Sequence, residues 1–163
     1  MEAPKQIHER SKVWIYAADR EFTDIEVRTM KERVAKFVQN WTSHSQLVKA
    51  AFEIRYNRFL ILFLDESHVT AGGCSIDSSV HLIKSLEKEY QNTMTDRMKF
   101  AFRRGDRIEQ VSKSEFEELL SKGIINDDTV VFNNLVASKK ELDNNWEIPF
   151  SKSWHKTFFR VVS

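Results

Sequence analysis

The chain has 163 residues, enough for one ordinary domain, and a chain of this length buries roughly 70% of the surface that its unfolded form exposes. Hydrophobic residues make up 41% and charged residues 30%, a composition that excludes intrinsic disorder. The 25 lysines and arginines nearly balance the 24 aspartates and glutamates, which argues against a dedicated nucleic-acid binder.

The start of the chain and its apolar runs indicate where the protein is found. Residues 1–10 form a polar tail without the apolar segment of a signal peptide. The longest strongly apolar run, FLILFL at residues 59–64, is too short for a membrane-spanning helix of about 20 residues. The single cysteine, Cys74, cannot form an internal disulfide. We therefore expect a cytoplasmic protein without membrane insertion.

The first 105 residues predict strands and helices in the order βαββαβ. Thr23 and Glu26 form a capping box before a helix that reaches Trp41. A second amphipathic helix begins near Ile76 or Asp77 and reaches Tyr90. Strands are predicted at residues 12–18, 47–56, 58–66 and 97–104, with a hairpin turn at 56–58 and a further turn at 105–106.

This order is typical of a ferredoxin-like α+β fold with an antiparallel sheet and two helices on one face. The first and third strands are apolar at nearly every position, which predicts a central place in the sheet, whereas the second and fourth alternate as edge strands do. We expect a ferredoxin-like core over residues 11–105. Its second face is then covered by the C-terminal third or by the partner in a homodimer.

Residues 106–163 are predicted to form an α/β extension that is integrated with the core. Ser112 and Glu115 cap a short helix that ends at Gly123, and residues 129–133 form a further strand. The tail contains two of the four tryptophans, Trp146 and Trp154, so we expect it to pack against the rest of the chain.

The stretch TAGGCSIDSS, residues 70–79, is the one candidate site. It places Cys74 directly before a predicted helix, where unpaired N–H groups and the helix dipole favour negative charge and lower the pKa of a thiol. We predict that His68 and Asp65 assist Cys74 in catalysis, with His44 as a further candidate. The same turn predicts an anion site, with positive φ angles at both glycines. Its ligand-binding residues are Gly72, Gly73, Ser75, Asp77, Ser78 and Ser79.

A purely structural interpretation of the same stretch is the alternative. Free cysteines are among the most buried residues, and the glycines can simply build a turn while Asp77 or Ser78 caps the helix. An exposed thiol with a histidine within about 4 Å favours an enzyme, and a buried thiol favours a binding module.

Several motifs are missing from the sequence. The four glycines do not form a Walker A loop, and the five histidines and one cysteine do not form a zinc-ligand pair. The sequence therefore predicts no metal site and no cofactor.

Four segments resemble a family of uncharacterised bacterial proteins of about 160 residues that often carry the label "ABC transporter ATPase". These are EIRYNRFLILFLDES (53–67), GCSIDSSV (73–80), DTVVFNNLV (128–136) and WEIPFSKSWH (146–155). The resemblance spans nearly the whole chain. Since the Walker A loop is missing here, it does not imply ATP hydrolysis, and it implies no catalytic residues.

A second resemblance covers about 25 residues. The stretch VSKSEFEELLSKGIINDDTVVFNN, residues 111–134, is similar to the C-terminal half of a GYF-type adaptor module, although the Gly-Tyr-Phe motif is missing. It implies a role in protein interaction. We therefore expect a binding or adaptor protein that recognises a protein partner or a small anionic ligand. The alternative is a small enzyme that uses Cys74 as its nucleophile.

Overall fold

The computed structural model describes residues 3–159 and shows a mixed α+β protein with five α-helices and antiparallel sheets in that range. The helices are α1 (Asp24–Asn40), α2 (Gly73–Tyr90), α3 (Lys113–Ser121), α4 (Lys139–Asn145) and α5 (His155–Phe158). The strands are β1 (Lys12–Ala17), β2 (Thr42–Ser43), β3 (Gln46–Leu47), β4 (Lys49–Arg55), β5 (Phe59–Asp65), β6 (Lys99–Arg104), β7 (Arg107–Ser112), β8 (Val130–Phe132) and β9 (Glu147–Pro149). The α+β class predicted from the sequence is confirmed.

The chain divides into two compact units. The first consists of the residues up to Thr95 together with Ala137–Lys140, and the second consists of Asp96–Val136 and the residues from Glu141 onward. The division falls at Thr95, whereas the sequence predicts a core that continues to residue 105.

The first unit contains a three-stranded antiparallel sheet in the order β1-β5-β4, with β5 in the centre. Leu60, Leu62 and Leu64 of β5 join one hydrophobic cluster with the buried residues of α1 and α2. The alternate residues of β5, Phe59, Ile61 and Phe63, are at most 1% exposed. Burial of both sets explains why residues 59–64 of this strand are all apolar.

Local signals set the start of α1 and the hairpin turn as the sequence predicts. The Thr23 hydroxyl accepts the Glu26 N–H at 3.2 Å, and the Glu26 carboxylate accepts the Thr23 N–H at 3.0 Å. Tyr56 and Asn57 adopt positive φ in the turn between β4 and β5. Left-handed backbone at two successive residues matches the twist of a tight hairpin.

The second unit contains a four-stranded antiparallel sheet in the order β7-β6-β8-β9. The predicted helix cap at Ser112 is confirmed, since its hydroxyl accepts the Glu115 N–H at 3.3 Å. Gly123 follows α3 with a φ of 73°, as expected of a residue that ends a helix in the left-handed region. Phe116 of α3 is fully buried and packs against Phe100 and Phe102 of β6.

The predicted ferredoxin-like order is not confirmed. The strand predicted at residues 97–104 is β6, and it pairs with β7 and β8 in the sheet of the second unit. In the first unit β1 is an edge strand and not a central one, because only β5 pairs along its length and a single bridge joins Lys12 to Ser138. Strand pairing is non-local, so the order of elements along the chain does not determine it.

Candidate functional site

The loop between β5 and α2 is held by one carboxylate that faces two partners. An oxygen of Glu66 accepts the backbone N–H of Ala71 at 2.7 Å, and its other oxygen lies 3.1 Å from the Lys12 ammonium. Glu66 therefore ties the residues before α2 to the edge strand β1 and fixes where the helix begins.

The small hairpin β2–β3 lies beside the start of α2. His44 and Ser45 form its turn with φ values of 52° and 64°. The hydroxyl of buried Ser43 donates to the Thr70 carbonyl at 2.6 Å and accepts the Gly72 N–H at 3.2 Å. Trp41, just before the hairpin, is 2% exposed and donates its indole N–H to the Ser75 carbonyl at 2.9 Å. These contacts fix the hairpin to the first turn of α2.

The helix α2 begins at Gly73, earlier than predicted. Gly72 is its N-cap, and the Ser75 hydroxyl accepts the Gly72 N–H at 2.9 Å and donates to the Gly72 carbonyl at 2.7 Å. The sequence predicts a later start because Asp77 and Ser78 are residue types that commonly cap helices. The contacts of Ser75 with Trp41 and Gly72 stabilise a first turn that begins at Gly73.

The predicted positive φ angles at the two glycines are wrong. Gly72 has a φ of −101°, and in the described chain the glycines with positive φ are Gly105 and Gly123. Gly72 instead allows a close approach, because an added Cβ would lie 3.3 Å from the His44 Nε2. A Cβ added at Gly73 would meet nothing within 4 Å. Open space therefore lies in front of the first helical residue.

Cys74 is exposed in the first turn of α2. Its N–H and that of Gly73 have no hydrogen-bond partner within residues 3–159, as is usual for the first amides of a helix. The first turn carries no acidic residue, and Gly72 has no side chain to cap it. The exposed His44 imidazole lies over Gly72. Two amides, a thiol and an imidazole thus surround the start of the helix.

The predicted catalytic residues Asp65 and His68 are not joined to Cys74. Asp65 accepts the N–H and the hydroxyl of Ser67 at 2.9 and 2.6 Å, and these bonds, the hydroxyl first, lower the pKa of its carboxyl group. His68 is exposed in the loop, and within residues 3–159 it makes no hydrogen bond or ion pair with either residue. The carboxylate therefore stabilises a turn.

The predicted ligand-binding serines are engaged within the helix. Ser75 and Ser79 are buried, and the Ser79 hydroxyl donates to the Ile76 carbonyl at 2.6 Å. The Ser78 hydroxyl donates to the Cys74 carbonyl at 2.9 Å, and Asp77 is exposed. Four of the six predicted ligand residues, Gly72, Ser75, Ser78 and Ser79, thus have structural partners. The unbonded amides are those of Gly73 and of Cys74, which is not among the six.

Sequence reasoning did not identify three residues that build this site: Trp41, Ser43 and Glu66. The turn residues His44 and Ser45 are neither glycine nor asparagine, the usual residues of a tight hairpin turn. The hairpin β2–β3 could therefore not be predicted from the sequence. Glu66, an acidic residue just after a strand, cannot be distinguished in the sequence from an ordinary surface residue. Only the folded chain brings these side chains to Gly72.

Comparison of the chain with protein-family models, with curated proteins and with solved structures finds no match. The resemblances to the bacterial family and to the GYF-type module therefore stay predictions. Among residues 3–159, no three histidine, cysteine, aspartate or glutamate side chains group as metal ligands would. None of the described helices combines the length and the apolar composition needed to cross a membrane.

Proposed function

We propose that this is a binding protein that receives a small anionic ligand, of the phosphate or carboxylate class, at the start of α2. The observation that carries the proposal is the pair of unbonded amides of the exposed residues Gly73 and Cys74, directly after Gly72, beside which the His44 imidazole lies. Amide N–H groups and the helix dipole at this end of an 18-residue helix both favour negative charge.

The surroundings of the helix start support an anion over a cation. No acid lies in the first turn, and the nearest loop carboxylates, Asp65 and Glu66, are bound to Ser67, Ala71 and Lys12. The imidazole of His44, next to Gly72, is the nearby side chain that can add a donor.

Inorganic phosphate is the probe that tests this proposal. In the ¹⁵N-labelled protein, phosphate should shift the amide signals of Gly73 and Cys74 to saturation, while chloride at equal ionic strength should not. His44→Ala should weaken phosphate binding about 5-fold, the equivalent of about 1 kcal/mol for a donor near a helix terminus. His68→Ala is the matched control and should leave the affinity unchanged. No saturable shift at either amide would refute the proposal.

A second candidate function is a thiol enzyme, favoured by the exposure of Cys74 in the first helical turn. A thiol in that place is open to reagents and substrates. Its signature is fast alkylation of the native protein by iodoacetamide. Alkylation no faster than that of a free thiol would leave the binding function alone.

A further inference from the structure

The second unit contains a buried histidine that the proposed function does not use. His155, the first residue of α5, is 1% exposed. Its ring stacks on Trp154 with centroids 4.0 Å apart and lies nearly parallel to Phe116 of α3. Phe100 of β6 meets it edge-on at 6.3 Å. An imidazole enclosed by aromatic rings is in the most apolar surroundings that this unit offers.

The one hydrogen bond of this imidazole within residues 3–159 comes from a neighbour in the chain. The Ser153 hydroxyl lies 2.6 Å from the His155 Nδ1, and Ser153 is itself buried. In the neutral ring Nδ1 accepts from this hydroxyl or donates to it, according to the tautomer. In the protonated ring both nitrogens donate, so the serine oxygen can only accept, and the charge remains among aromatic side chains.

No carboxylate faces the ring from the elements packed around it. On α3, Lys113 lies 5.8 Å from the Phe158 ring and pairs with Glu117. On α5 itself, Lys156 pairs with Asp127 at 2.9 Å. On β6, Arg104 shares the face of Phe100 and Phe102 and pairs with Glu109, while the 3-10 turn at 150–152 ends with Lys152. Within residues 3–159 no acid forms an ion pair with His155, so a charge on its ring would be uncompensated.

We propose that His155 is an acid-sensitive latch: in its neutral form it holds α5 against α3 and β6, and its protonation releases α5. The released segment would carry Phe158 and Phe159 with it. Phe159 is 3% exposed and stacks on Phe116 at 4.2 Å, so its departure would uncover the aromatic face of the second unit.

The direction of the pH dependence follows from burial. Burial lowers the pKa of His155 to about 4, whereas the released histidine regains its ordinary value of about 6.5. The released state therefore binds the proton more tightly. The latch is closed above about pH 6.5 and weakens progressively as the pH falls towards 4. Between pH 7 and pH 5, the ratio of released to docked protein should rise about 20-fold.

Amide hydrogen exchange tests the latch in the unmodified protein. The N–H groups of Phe158 and Phe159 bond to Trp154 and His155, so their protection reports on docking of α5. After correction for the intrinsic exchange rate, their protection should fall about 20-fold from pH 7 to pH 5. The amides of β5 should keep their protection. Unchanged protection at Phe158 and Phe159, or an equal loss throughout the chain, would overturn the proposal.

Two further measurements separate the latch from ordinary acid unfolding. The ring signals of His155 should titrate below pH 5 in the native protein, and titration near pH 6.5 would contradict the burial that the latch requires. His155→Gln removes the titration and should make protection at Phe158 independent of pH. His81→Gln, at an exposed position on α2, is the matched control and should behave as the original protein does.

Discussion

Phe116→Ala is expected to cost about 3–5 kcal/mol of stability, as truncation of a fully buried phenylalanine usually does. Phe116 is not exposed at all, and its ring stacks on Phe159 with centroids 4.2 Å apart. The rings of Phe100, Phe102 and Phe150 also pack against it at about 6 Å. Removing this ring leaves a cavity at the point where α3, β6 and the C-terminal segment meet.

Urea unfolding followed by amide signals of the second unit measures this loss. Unit-specific signals are needed because the chain divides into two compact units and a single global transition is not assured. Phe158→Ala is the matched control, since Phe158 is 47% exposed and belongs to the same cluster. It should cost less than about 1.5 kcal/mol. Equal losses for the two variants would show that Phe116 is not the centre of the cluster.

Trp41→Ala is the second large effect, with an expected loss of about 3–5 kcal/mol from the first unit. The indole is 2% exposed and packs against Phe37 and Trp14. It also donates to the Ser75 carbonyl, which lies inside α2 and keeps its helical hydrogen bond when the indole is removed. Loss of the indole hydrogen bond costs about 0.5–1.5 kcal/mol by itself.

Trp41→Phe separates the packing contribution from the hydrogen bond. Phenylalanine keeps most of the ring contacts and has no N–H, so this variant should lose about 0.5–1.5 kcal/mol. Because the bond ends on the first turn of α2, it should also shift the amide signals of Gly73 and Cys74. Trp14→Phe, at a partly buried position of the same cluster, is the control. Unmoved signals at Gly73 and Cys74 in Trp41→Phe would contradict the anchoring role.

The elements that could be predicted from the sequence are those with local causes. Thr23 and Glu26 stand three residues apart and cap each other, so their spacing alone identifies the start of α1. Ser112 and Gly123 mark the ends of the α3 region in the same local way. Such signals involve only residues that are close together in the chain, so they can be identified without knowledge of any tertiary contact.

The sheet arrangement could not be predicted because it depends on distant pairing. The alternation in β6 predicts an edge strand, and that prediction is wrong, because β6 lies between β7 and β8 in the sheet of the second unit. The start of α2 is decided in the same way. Trp41 is 34 positions before Ser75 in the chain, and its hydrogen bond to the Ser75 carbonyl stabilises a first turn that begins at Gly73.

The sequence predicts Cys74 close to the start of a helix, and the structure places it there, whereas its role in a site stays a prediction. Cys74 is at the start of a helix and exposed, as an active thiol or a ligand contact would be. Of its predicted partners, Asp65 stabilises the loop and His68 is exposed to solvent. His44 instead lies near Gly72, on a hairpin that has no sequence signature. These side chains come from two separate turns that meet only in the folded chain. No fixed spacing in the sequence, and therefore no motif, could reveal them.

The most direct test of the binding site uses the single thiol as its reporter. The rate of iodoacetamide alkylation of the native protein would be measured at constant pH and ionic strength as phosphate replaces chloride. An anion seated on the Gly73 and Cys74 amides lies beside the thiol, so alkylation should slow as phosphate is added and level off at saturation. His44→Ala should need about 5-fold more phosphate for the same protection. An alkylation rate that phosphate leaves unchanged would contradict an anion site at the start of α2.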